Sequence, residues 1–108
     1  MITNEEIEKD LEWLEADAIP AAQATADRAY MEAFRPSLEA ILMKESDDGE
    51  TSAVIQKRNA HSHETYVQHI NASRDAVFED CRHRYMREAK QARISAWQTM
   101  SKNRDRGL

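Results

Sequence analysis

The chain has 108 residues with only two glycines and two prolines, and a net charge of −5. So few turn formers exclude sheet-rich folds, and the abundance of Ala, Glu, Arg, Lys, Gln and Met points to one all-α domain over residues 1–108, a helical hairpin or small bundle with one long C-terminal helix. The charge is unevenly spread: residues 1–50 carry 14 acidic against 4 basic side chains, whereas residues 51–108 carry 6 against 11 and hold all four histidines.

Thr3 and Glu6 have capping-box spacing, so a helix is predicted to start near Asn4. Ile7, Leu11, Leu14 and Ala18 then recur on one helical face, with Trp13 off it. Pro20 removes a backbone donor, and a kink or break is expected between Ala18 and Pro20. Ala26, Tyr30, Phe34, Leu38 and Ile41 (or Leu42) continue an apolar face, with a second kink at Pro36. These segments make an acidic helical arm over residues 4–45. The stretch SDDGETS reads as a loop over 46–52, followed by a short helix at about 53–59. Ser62 is a good N-cap for a long basic helix over 63–102, about 60 Å in length.

Along that helix Tyr66, Val67, Ile70, Val77, Phe78, Cys81, Tyr85, Ala89, Ala92 and Ala96 fall in one wide arc, with spacing near eleven residues. The arc is expected to pack on the first helix, Phe34, Leu38 and Ile41 meeting Ile70, Val77 and Phe78. Arg74 and Glu88 intrude on it, fourteen residues apart, and each is expected to meet an opposite charge on another helix, Asp27 and Glu32 being candidates. The tail KNRDRGL is polar and expected to fray. Much of the apolar share is alanine, so the thin core and the long helix favour a homo-oligomer or a protein partner.

Chemistry-bearing motifs are absent. No Gly-rich phosphate loop, nucleophile elbow or zincin motif occurs, and neither Glu79 nor Glu88 is followed at the third position by the histidine of a di-iron site. Cys81 and His83 diverge on a helix, and His61 and His63 lack further ligands. No catalytic residue, metal or cofactor is expected. Lone Cys81 excludes an intramolecular disulfide, and the N-terminus lacks signal-peptide character. No apolar run of about 20 residues exists. A reducing cytoplasm, away from membranes, is the expectation.

One face invites a binding role. Met86, Lys90, Arg93, Trp97 and Arg104 share it, with Arg82 at its edge, opposite the apolar arc. Cations beside an exposed indole suit a phosphate backbone and unstacked bases. The competing reading is an amphipathic helix with a basic polar face and Trp97 packed on a neighbour. Net negative charge weighs against a dedicated nucleic-acid binder.

The runs AAQATADRAYMEAFRPSLEAILMKE, YVQHINASRDAVFED and REAKQARISAWQTMSKNR carry a resemblance over residues 9–104. They resemble a family of small helical proteins encoded by tailed phages and prophages. Its pattern is A-x-R-x-Y-x-E-x-F-R, a loop, and I-x-A-W-[RQ]-[ST]. Pro20 and Pro36 depart from the helix formers expected there. The resemblance implies a phage context, sometimes near recombination or replication genes, and supplies no catalytic residues. The expectation is a non-enzymatic phage accessory protein, a homodimeric binding or assembly module in phage DNA metabolism with a protein or DNA partner. Two alternatives stand beside it: a host-directed inhibitor that binds one host enzyme through the acidic half, and a structural assembly subunit.

Overall fold

The structure is a computed structural model and describes residues 1–107. It is all-α: α1 spans Asn4–Glu45, α2 Ala53–Ser62 and α3, the long C-terminal helix, Glu64–Asp105. No strand occurs among the described residues.

α1 opens on a reciprocal capping box. The Glu6 N–H donates to Thr3 Oγ1 at 3.2 Å, and the Thr3 N–H donates to Glu6 Oε2 at 3.1 Å. This satisfies two backbone donors that the first turn leaves open. Of the kink or break expected between Ala18 and Pro20, the break does not occur, because α1 runs without interruption through Pro20 and Pro36. Both prolines are exposed, as are Ala16 and Glu32, the residues whose carbonyls lose a donor. Water can satisfy those carbonyls, so the helix tolerates the missing bonds.

In the loop, Asp48 Oδ1 accepts the N–H groups of Glu50 (2.9 Å) and Thr51 (2.8 Å). The backbone bonds from Thr51 and then Glu50 hold its carboxyl below the usual carboxylate range. Gly49 adopts φ +76°, a left-handed conformation that side-chain-bearing residues resist. Ser52 then caps α2 by accepting the Ile55 N–H at 3.3 Å. Ser62, the expected cap of α3, instead ends α2. Its hydroxyl donates back to the Arg58 and Asn59 carbonyls. His63 interrupts the helix with extended backbone, and its Nδ1 accepts the Thr65 N–H at 3.1 Å. A ring nitrogen thus does the work of an N-cap oxygen.

The chain divides into two compact units. The unit Thr25–Glu79 is a helical hairpin whose core is Leu38, Leu42, Ala60 and Tyr66, with Phe34 and Met43 packed against it. The His61 ring stacks on Tyr66 at 4.7 Å, and its Nε2 lies 2.7 Å from Glu39 Oε2. His69 Nε2 donates to the Met31 carbonyl at 2.9 Å, and its ring meets Phe34 edge-on. The expected packing of this hairpin needs correction. Leu38 is buried, and Phe34 and Val77 are half-buried, but Ile41, Ile70 and Phe78 are exposed. Leu42, not Ile41, takes the inward position, and α3 turns Tyr66, His69, Ser73 and Ala76 inward.

The second unit pairs Met1–Ala24 antiparallel with the chain from Asp80 onward. Its inward face on α1 is Ile7, Asp10, Leu14, Asp17, Ala21 and Ala24; on α3 it is Asp80, His83, Arg87, Lys90, Ile94, Trp97 and Ser101. Both runs alternate steps of three and four, the spacing of a coiled-coil seam. Leu11 and Ala18, expected on the α1 face, are exposed. Asp10 and Asp17 hold the inward positions because α3 offers them cationic and donor groups there.

Candidate functional site

Asp10 is the most deeply buried carboxylate of its unit, at 1% exposure. Arg93 grips it in bidentate fashion, with Nε donating to Oδ2 at 2.6 Å and Nη2 donating to Oδ1. Lys90 Nζ donates to Oδ1 at 3.4 Å, and its ammonium lies 5.1 Å from the centre of the Trp13 ring. Two fixed N–H groups on one carboxylate make a strong, directional pair. The Arg93 bond is the main reason the Asp10 carboxyl sits below the usual range; burial opposes it and Lys90 adds to it. Arg93 is pushed up in turn by its bond to Asp10.

Asp17 repeats the arrangement seven residues on. Its Oδ1 lies 2.7 Å from His83 Nδ1 in a buried contact. Arg82 Nη2 stands 3.4 Å from His83 Nε2 and donates to it. An acceptor role for Nε2 assigns the ring proton to Nδ1, which donates to Asp17. Arg87 Nη1 donates to the Leu14 carbonyl at 3.2 Å and lies 3.7 Å from Asp17 Oδ2, an oxygen that accepts no hydrogen bond.

The structure therefore draws much of the predicted binding face into the unit's own seam. Lys90 and Arg93 neutralise Asp10. Trp97 is half-buried, and its Nε1 donates to Asn4 Oδ1 at 3.0 Å. Arg104 lines a small cleft with Trp97, Met1, Ile2, Asn4, Met100 and Ser101. Arg82 reaches His83, and Met86 is exposed. A phosphate seeking Lys90 and Arg93 would have to displace a carboxylate that already holds Arg93 by two bonds. Sequence reasoning missed Asp10, Asp17, His83 and Arg87. The available signal was a pair of acids seven apart on the first helix, matched by His83 and Lys90 seven apart on the last.

Much of the arc expected to be core is exposed instead, although Tyr66 is buried and Val77 and Cys81 are half-buried. On α3, Val67 is 44% exposed, Ile70 41%, Phe78 64% and Tyr85 62%. Arg74 and Glu88 are exposed, and neither has an ion-pair partner among the described residues. Glu32, an expected partner, pairs with Arg28 at 3.0 Å.

Among the described residues, no three or more His, Cys, Asp or Glu side chains come together as a metal site. No helix there is long and apolar enough to cross a membrane. Compared with family models, curated proteins and solved structures, the chain matches none of them.

Proposed function

We propose that this chain is a non-enzymatic helical binding and assembly module that works through a protein partner, with the outward side of α3 within the Thr25–Glu79 unit as its contact surface. The observation that carries this reading is the exposure of Val67, Ile70 and Phe78 on the part of α3 that belongs to the Thr25–Glu79 unit. Contiguous exposed apolar side chains mark interaction surfaces. The cations that would suit a nucleic-acid backbone are meanwhile engaged by Asp10. The phage setting, as an accessory protein of DNA metabolism in the host cell, is part of the proposal and draws on the resemblance.

The test is retention of a partner from host or infected-cell lysate by immobilised protein. A partner held by the wild type and lost from an Ile70→Ser/Phe78→Ser variant supports the reading. A single-stranded oligonucleotide bound at physiological salt through Lys90 and Arg93 would overturn it. A second reading, an inhibitor that grips one host enzyme by the acidic half, is favoured by the exposed carboxylates Glu8, Glu12 and Glu15 on the outer side of α1. It requires Glu12→Lys/Glu15→Lys to abolish capture while the Ile70→Ser/Phe78→Ser variant retains it.

A further inference from the structure

Within the unit of Met1–Ala24 and the chain from Asp80 onward, the seam ends in a half-open cleft of about 160 Å³, where the start of α1 meets the last turns of α3. A cavity of about 150 Å³ takes one benzene ring. Ile2, Trp97 and Met100 give the cleft apolar walls. The Trp97 ring is anchored there because its Nε1 donates to Asn4 Oδ1 at 3.0 Å. An indole N–H can only donate, so it engages the amide oxygen of Asn4 and leaves the amide N–H groups over. Those groups have no partner among the described residues. Neither have the Ser101 hydroxyl and the Arg104 guanidinium, which line the same cleft.

The uncommitted polar groups of the cleft are therefore donors, and one of them carries a full positive charge. The carboxylates closest in sequence are engaged elsewhere or stand outside. Glu5 pairs with Lys9 at 3.4 Å, Glu6 accepts the Thr3 N–H, and Asp105 does not line the cleft. A slot the size of one ring, edged by unpaired donors and a cation, fits a ligand that is apolar at one end and anionic at the other. A single guanidinium balances a single charge and matches two coplanar oxygens, which favours a carboxylate over a phosphate dianion. We infer that this cleft binds a small hydrophobic carboxylate. Its ring or short alkyl chain lies between Ile2, Trp97 and Met100, and its carboxylate sits on Arg104, with Asn4 and Ser101 as further donors. The site belongs to the other unit from the protein contact surface proposed above and does not depend on it.

The test follows the two indole N–H resonances of the full chain by proton NMR, with Trp13→Phe to assign them. Added 3-phenylpropionate is expected to shift the Trp97 resonance saturably and to leave that of Trp13 in place. A ligand of this size is expected to bind with a Kd on the order of 1 mM. The corresponding amine, 3-phenylpropylamine, has the same body with a cation and is expected to shift neither resonance. Arg104→Gln and Arg104→Glu are each expected to weaken carboxylate binding about tenfold or more. Their thermal midpoints should match wild type, because Arg104 is exposed and has no ion pair within the described chain. Acetyl-Gly-Phe carries the same head on a peptide. Tighter binding than 3-phenylpropionate assigns the carboxylate to a peptide chain end, and weaker binding assigns it to a free small molecule. No saturable shift up to about 10 mM ligand, an equal shift with the amine, or full affinity in Arg104→Gln would overturn the inference.

Discussion

Asp10 sits where a seam normally takes an aliphatic side chain, and its burial is tolerable because Arg93 and Lys90 saturate both oxygens. Asp10→Ala leaves two cations without their anion. The Arg93 side chain is 42% exposed and can regain water, which moderates the loss. The expected cost is about 2–3 kcal/mol in a urea melt, within the range for hydrogen bonds to charged groups. The same pair sets an acid dependence. The folded-state pKa of Asp10 is depressed below an unfolded value of about 3.9, so its contribution is fully present above that value and is lost as pH falls through the folded value. Glu39, lowered chiefly by its bond to His61, acts in the same sense. Urea midpoints should therefore fall between about pH 5 and pH 2, and Asp10→Asn should flatten part of that slope. A slope unchanged by Asp10→Asn would remove Asp10 from the account of acid stability.

At the scale of the element, which side of α1 faces inward can be read from paired substitutions. Leu38→Ala should cost about 2–5 kcal/mol, because Leu38 is buried against Leu42, Ala60 and Tyr66. Ile41→Ala, three positions on but exposed, should cost at most about 1 kcal/mol, since little area leaves water there. Equal losses would mean that the inward side is misassigned. Gly49→Ala should cost about 1–2 kcal/mol for its left-handed backbone, as seen in the thermal midpoint. The elements themselves were legible, since propensity, the capping box and the SDDGETS stretch are local signals. Their inward sides were not. Apolarity alone follows Ile7, Leu11 and Ala18 on α1 and Phe78 and Tyr85 on α3, whereas the seam uses Asp10, Asp17, His83, Arg87 and Lys90. Those polar residues become core-compatible only against one another, and such complementarity belongs to pairs of helices rather than to either helix. Pro20 ends no helix for a related reason: the cost of a proline depends on whether the freed carbonyl meets water, which a single helix does not reveal.

For the molecule as a whole, the opposed charges of the two sequence halves find a structural use. Within the unit of Met1–Ala24 and the chain from Asp80 onward, acidic α1 side chains receive cationic and donor groups from α3. Of the predicted binding face, Lys90, Arg93 and Trp97 are committed to that pairing. Of the apolar side predicted to be core, Tyr66 is buried, whereas Val67, Ile70, Phe78 and Tyr85 are exposed. Trp97→Ala should accordingly lower the thermal midpoint through loss of its packing and of its bond to Asn4, with no dependence on oligonucleotide. The central claim, that the basic segment of α3 is held by the acidic segment of α1, is tested most directly by a double-mutant cycle. Asp10→Asn, Arg93→Gln and the double variant are compared in urea melts at fixed protein concentration and pH 7. A coupling energy of about 1–3 kcal/mol is the predicted result, whereas effects that add to within about 0.3–0.5 kcal/mol would contradict the account.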